Sequence, residues 1–158
     1  DTLIEKLNPG EVEAVLAHEL GHYKCNHIRK RLFVSFALSF AMFALLGWIS
    51  TKVWFYTDLG VMPSLNGYNG GLALALFMLV SPVFSFFFTP LSSLASRKHE
   101  YEADGFAAEK SSAKDLISAL VKLYQDNAST LTPDPIYTAF YSSHPPAPLR
   151  IANLQRFN

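Results

Sequence analysis

Two runs without a charged residue, Leu32 to Thr51 and Gly70 to Ser96, constrain this chain more than any other feature. Each is long enough to cross roughly 30 Å of hydrocarbon at about 1.5 Å per helical residue. The first has no polar side chains beyond Ser and Thr, whereas a helix of a water-soluble bundle keeps one face polar. Half of the 158 residues are hydrophobic, and Phe alone occurs thirteen times, which is rich for a soluble domain. The two runs therefore read as a transmembrane hairpin. Arg29, Lys30 and Arg31 precede the first run and Arg97 and Lys98 follow the second, while the connecting segment 57–70 has neither Lys nor Arg. The positive-inside rule then places both outer ends on the cytoplasmic side. Pro82 and Pro90 are expected to kink the second run or end it early.

The remaining sequence is polar enough to fold in water. Asn8, Pro9 and Glu11 have the pattern of a helix start, with Asn8 as N-cap. No proline intervenes before Pro63, so this helix is expected to continue through Arg31 into the first apolar run. Ser112 and Asp115 form a capping box ahead of an amphipathic helix that carries Leu116, Leu120 and Leu123. The proline-rich stretch LTPDPIYTAFYSSHPPAP is expected to be irregular, and a short helix from Leu149 to Arg156 to follow it. The formal net charge is zero, and no basic stripe interleaved with aromatics argues for a nucleic-acid partner. Cys25 is the only cysteine, so no intrachain disulfide can form. The first residues lack the features of a signal peptide, and the absence of an initial Met suggests a piece of something longer.

His18, Glu19 and His22 spell H-E-x-x-H. Residues four apart on a helix lie about 40° apart, so both imidazoles can reach one tetrahedral zinc. Glu19 is suited to take a proton from an activated water rather than to ligate. A site of this kind needs a third protein ligand. His27 follows His22 by five residues and is turned about 140° away on a continuous helix, so it cannot close the site without a break. His99 stands alone. Glu100 has Asp104 four residues later on the same helical face, a spacing that supplies one ligating carboxylate and one that orients a histidine through its other N–H. Glu102 reads as ordinary acidic helix surface.

The motifs HELGHYK, SRKHEYEADGFA and DPIYTAFYSSHPPAPLR, together with the paired apolar runs, resemble the zinc-dependent CAAX prenyl endopeptidase family of integral-membrane metalloproteases. That resemblance implies Glu100 as third zinc ligand beside His18 and His22, in a site of gluzincin type. It also implies that His144 faces the site and stabilises the oxyanion, that Arg150 supports substrate or the acidic groups, and, more weakly, that Arg97 belongs there too. The expected architecture is all-α, in a single peptidase domain. It comprises a zinc-motif helix 8–31, spans 32–56 and 71–96 joined by a loop 57–70, and a cytoplasmic catalytic region 97–158. Further spans of such proteins would precede this segment. The expected cofactor is one Zn2+ per chain. The expected partners are the lipid bilayer and a lipidated or membrane-bound peptide, in the bacterial inner membrane or the endoplasmic reticulum. A heat-shock-type quality-control protease and a non-catalytic zinc-stabilised scaffold are the alternatives.

Overall fold

The computed structural model describes residues 6–64, 67–126 and 133–157, and every regular element among them is helical. In chain order these are α1 (Pro9–Lys24), α2 (His27–Ile49), α3 (Val53–Thr57), α4 (Gly70–Phe86), α5 (Thr89–Lys110), α6 (Ala113–Asp126), α7 (Pro135–Tyr141) and α8 (Ala147–Leu154), with a 3-10 turn at Gln155–Phe157. They form two units. One comprises the described residues up to Ile28 and from Thr89 onward, and the other comprises Arg29–Phe88.

In the first unit, α1 begins with a full capping box. The Asn8 side chain accepts the Glu11 N–H at 2.9 Å, and the Glu11 carboxylate accepts the Asn8 N–H at 2.8 Å. The same carboxylate reaches α6, where Ser118 Oγ donates at 2.6 Å and Lys122 Nζ at 2.7 Å. These bonds, Lys122 foremost, hold the Glu11 pKa down to about 2. Below the cap, Ala14 and Ala17 of α1 meet Ala107 of α5, Leu116 and Leu120 of α6 and Leu154 of α8 in one buried cluster. Small side chains let these helices approach closely. At Gly21 the approach is tightest, because a Cβ there would lie 3.0 Å from the Ala103 Cα on α5.

The expected continuous helix from residue 8 into the apolar run is interrupted. α1 stops at Lys24, and Asn26 adopts φ +56°, the left-handed region that Asn tolerates better than most residues. The amides of Cys25 and Asn26 still bond back to Gly21 and Tyr23 at 2.9 and 3.0 Å, closing the helix end before α2 starts at His27. The proline-rich stretch is also more ordered than expected. Asp134 accepts the Tyr137 N–H at 2.9 Å and Pro135 occupies the first turn, so α7 forms there. Residues 131 and 132 of that stretch lie outside the described residues. The last helix starts at Ala147, two residues earlier than expected.

In the second unit, Ile49, Phe55, Tyr56, Ala73 and Leu76 form a small cluster, and the Tyr56 hydroxyl donates to the Ser50 carbonyl at 2.7 Å. Most of the apolar surface faces outward. Phe33 and Phe40 of α2 are 76% and 77% exposed, which no water-facing helix core would leave. Among the described residues, α2 is the one helix long and apolar enough to cross a membrane by itself. The second run is broken. α4 ends at Phe86 and α5 begins at Thr89, one residue before Pro90, whose missing N–H and ring favour a helix start there. Only taken together as one broken span do α4 and α5 reach the same length and apolarity.

Candidate metal centre

All the expected site residues belong to the first unit, where α1 and α5 run side by side with α8 packed against α5. His18 and His22 stand one turn apart on α1 with their Nε2 atoms 3.1 Å from each other. Glu100 of α5 brings Oε1 to 3.4 Å from His22 Nε2 and Oε2 to 3.6 Å from His18 Nε2. Zinc bonds of about 2.0–2.1 Å at tetrahedral angles require ligand atoms roughly 3.3 Å apart. The three separations bracket that value, so the donor set fits a zinc ion. His18 and Glu100 are buried, and His22 is partly so. Burial, and then the charge of His18, lower the His22 pKa, which keeps a metal-accepting lone pair available at neutral pH.

A second tier holds this set. Asp104, fully buried, accepts from His18 Nδ1 at 2.9 Å. Arg150 of α8 donates to the same carboxylate from Nε at 2.8 Å and from Nη2 at 2.5 Å, a two-pronged pair. Its Nη1 also lies 3.4 Å from Glu100 Oε2, so one guanidinium serves both acids. Burial alone would raise the Asp104 pKa, but the bonds from His18 and Arg150 outweigh it and the net direction is down. For Arg150 burial works against the charge, and the Asp104 bond outweighs it, so the net direction is up. The pair is charged on both sides.

His144 brings Nε2 to 3.5 Å from Glu100 Oε1 while remaining largely exposed, and its Nδ1 is 3.0 Å from Ser143 Oγ. The loop that carries it is anchored from α5. Arg97 Nη1 donates to the carbonyls of Thr138 and Ser142, both at 2.9 Å, which satisfies the end of α7. Arg97 thus holds the histidine loop rather than the acids. Glu19 is exposed on α1, and its charge is felt at His22.

Three residues stand differently from the sequence reading. The break at Asn26 returns His27 to His22, with their Nδ1 atoms 2.9 Å apart, and Glu102 meets His27 Nε2 at 2.9 Å. Glu102 is therefore not plain acidic surface. His99 stacks on the His27 ring at 4.1 Å. The available signal was Asn26 itself, a residue prone to end a helix, standing just before a histidine.

A family model described as Peptidase family M48 matches residues 1–158. CAAX prenyl protease 1 of Saccharomyces cerevisiae is 33% identical over 167 residues, which take in 98% of this chain and 36% of that protein. The CAAX prenyl protease 1 homolog of Homo sapiens is 36% identical over 147 residues, 92% of this chain and 30% of that protein. The crystal structure of S. mikatae Ste24p matches with a TM-score of 0.83 at 33% identity, covering 98% of this chain and 38% of that one. The chain spans about a third of the length of these relatives.

Proposed function

This chain belongs to peptidase family M48, and on that premise we propose that it carries the catalytic site of a membrane zinc metalloendopeptidase. The observation that carries the reading is the triangle of His18, His22 and Glu100, with sides of 3.1, 3.4 and 3.6 Å. His18 and His22 would hold the ion through Nε2 and Glu100 through its carboxylate. A bound zinc supplies Lewis-acid polarisation of the scissile carbonyl and a water acidified towards pKa about 7. Glu19 accepts the proton of the attacking water and returns it to the leaving amine. His144, exposed and next to Glu100, donates to the carbonyl oxygen as negative charge develops there. Arg150 and Asp104 keep Glu100 and His18 oriented throughout. No covalent acyl intermediate is required.

The substrate we propose is a C-terminal CAAX-type prenylated peptide or another membrane-associated peptide. The names of the relatives support it. So does an open apolar cleft of about 490 Å³ whose lining includes Leu94, Tyr101, Leu149 and Pro145, the residue that follows His144. α2 is taken as a span, with the broken α4–α5 run as the second, and Arg29–Arg31 and Arg97–Lys98 mark the cytoplasmic side, where the site would lie.

The test measures zinc content and cleavage of paired peptides, with and without a prenylated cysteine, by the full-length protein. Wild type should hold one zinc and cleave the lipidated peptide, Glu19→Gln should keep zinc and lose at least about 100-fold in rate, and Glu100→Ala should lose zinc. Full zinc and activity in Glu100→Ala would overturn the ligand set. Equal cleavage of both peptides would point to the quality-control alternative, and bound zinc with no hydrolysis of any peptide to the scaffold.

A further inference from the structure

Resting on the zinc reading above, we propose that His27, backed by Glu102, is the positioning residue for His22. A neutral imidazole that offers Nε2 to a metal carries its proton on Nδ1 and must donate it somewhere. For His18 the acceptor is the Asp104 carboxylate. For His22 it is the Nδ1 of His27, at 2.9 Å. Two imidazole nitrogens can share a hydrogen bond in either direction, and Glu102 selects one. Its carboxylate accepts and cannot donate, so at 2.9 Å it holds the His27 proton on Nε2. With His27 neutral, its Nδ1 is then a bare lone pair, His22 supplies the proton between them, and His22 Nε2 is left free to bind. The opposite assignment would point a bare His27 Nε2 at a carboxylate and put a proton on the very atom meant for the metal.

The surroundings fix His27 for this task. Its ring is 3% exposed and stacked on His99 at 4.1 Å with 15° between planes. It reaches His22 because Asn26, at φ +56°, turns the chain between α1 and α2. The Cys25, His27 and Glu102 ligand atoms also come within 4.8 Å of one another, but both ring nitrogens of His27 already have partners. The two histidines of the motif are thus held asymmetrically, His18 by a charge and His22 by a neutral ring.

The experiment titrates zinc into the metal-stripped full-length protein against a chromogenic chelator, and records the visible spectrum of the cobalt form. His27→Phe keeps a flat ring over His99 and removes the acceptor. It should weaken zinc about 10- to 100-fold and shift the cobalt bands. His27→Gln, whose amide oxygen can accept from His22, should recover most of that loss, which a packing role would not allow. Glu102→Gln, at a half-exposed position, provides a variant with little risk of misfolding and should weaken zinc by a smaller factor. Wild-type affinity and spectrum in His27→Phe would overturn this inference alone. A wild type that binds no zinc would overturn the proposed function and this inference with it. A second cobalt equivalent with a thiolate charge-transfer band, lost both in Cys25→Ser and in His27→Phe, would show His27 to be a ligand and overturn the positioning role.

Discussion

Gly21→Ala sets two effects of similar size against each other. In the interior of α1, alanine is favoured over glycine by about 0.8–1.0 kcal/mol of helix propensity. Against this, the new Cβ would sit 3.0 Å from Ala103 Cα, 3.1 Å from Ala103 O and 3.2 Å from Phe106 Cβ. Carbon atoms prefer about 3.5–4.0 Å, so α1 and α5 must part by roughly half an ångström or more. The nearest atoms are backbone and cannot swing aside. Overpacking of this kind costs about 1–3 kcal/mol, so the net loss should be about 0–2 kcal/mol. In a chain of this length that lowers the unfolding midpoint by about 0–8 °C. Zinc binding should suffer more than stability. His18 and His22 lie on α1 and Glu100 on α5, so the same parting stretches separations of 3.4 and 3.6 Å towards 4 Å, beyond the roughly 3.3 Å of a tetrahedral site. Gly105→Ala is the control, since its Cβ would meet only Phe157 Cζ at 3.6 Å, an ordinary contact. It should raise the midpoint. The assay is a thermal melt in detergent together with zinc competition on both variants. If Gly21→Ala gains stability like Gly105→Ala and binds zinc as wild type does, the close α1–α5 approach does not hold the site.

Two further outcomes follow from the ionic groups. Arg150→Met retains length but leaves buried Asp104 without its counter-charge, and should cost about 3–5 kcal/mol in a denaturation curve. The double variant Arg150→Met/Asp104→Leu should cost clearly less than the two single changes added together. Glu11 has its pKa lowered from 4.5 to about 2, so the stability it contributes is complete above about pH 4.5 and lost as pH falls towards 2. Glu11→Gln should be less stable than wild type at neutral pH, and the gap between the two melting points should narrow across that acid window.

Periodicity alone puts His18 and His22 on one face and Glu100 and Asp104 on another, because both pairs need nothing beyond the pitch of a helix. That the two faces meet depends on Gly21 and on alanines whose smallness is uninformative until a partner helix is known. The pairing of Arg150 with Asp104 spans 46 residues and carries no local signal, so only the resemblance pointed to that arginine. The contact between His27 and Glu102 is hidden in the sequence for a sharper reason. Their meeting turns on one backbone dihedral at Asn26, and a left-handed residue is a tendency in sequence rather than a pattern. The length of the second apolar run and its two prolines are legible in the sequence. Where it would break was decided by Pro90, which opens α5 instead of bending α4.

The insertion of Arg29–Phe88 between the two halves of the first unit also imposes a schedule on synthesis. Arg150 trails His18 by 132 residues, so at about 5–20 residues per second the two leave the ribosome about 7–26 s apart. Within that interval the apolar segment emerges first, Glu100 follows 82 residues behind His18 to complete the proposed ligand set, and Arg150, which steadies it, comes 50 residues later still. On the proposed reading, a chain stalled before α8 would present its apolar segment to the bilayer with His18 and Glu100 still lacking the Arg150 that braces them.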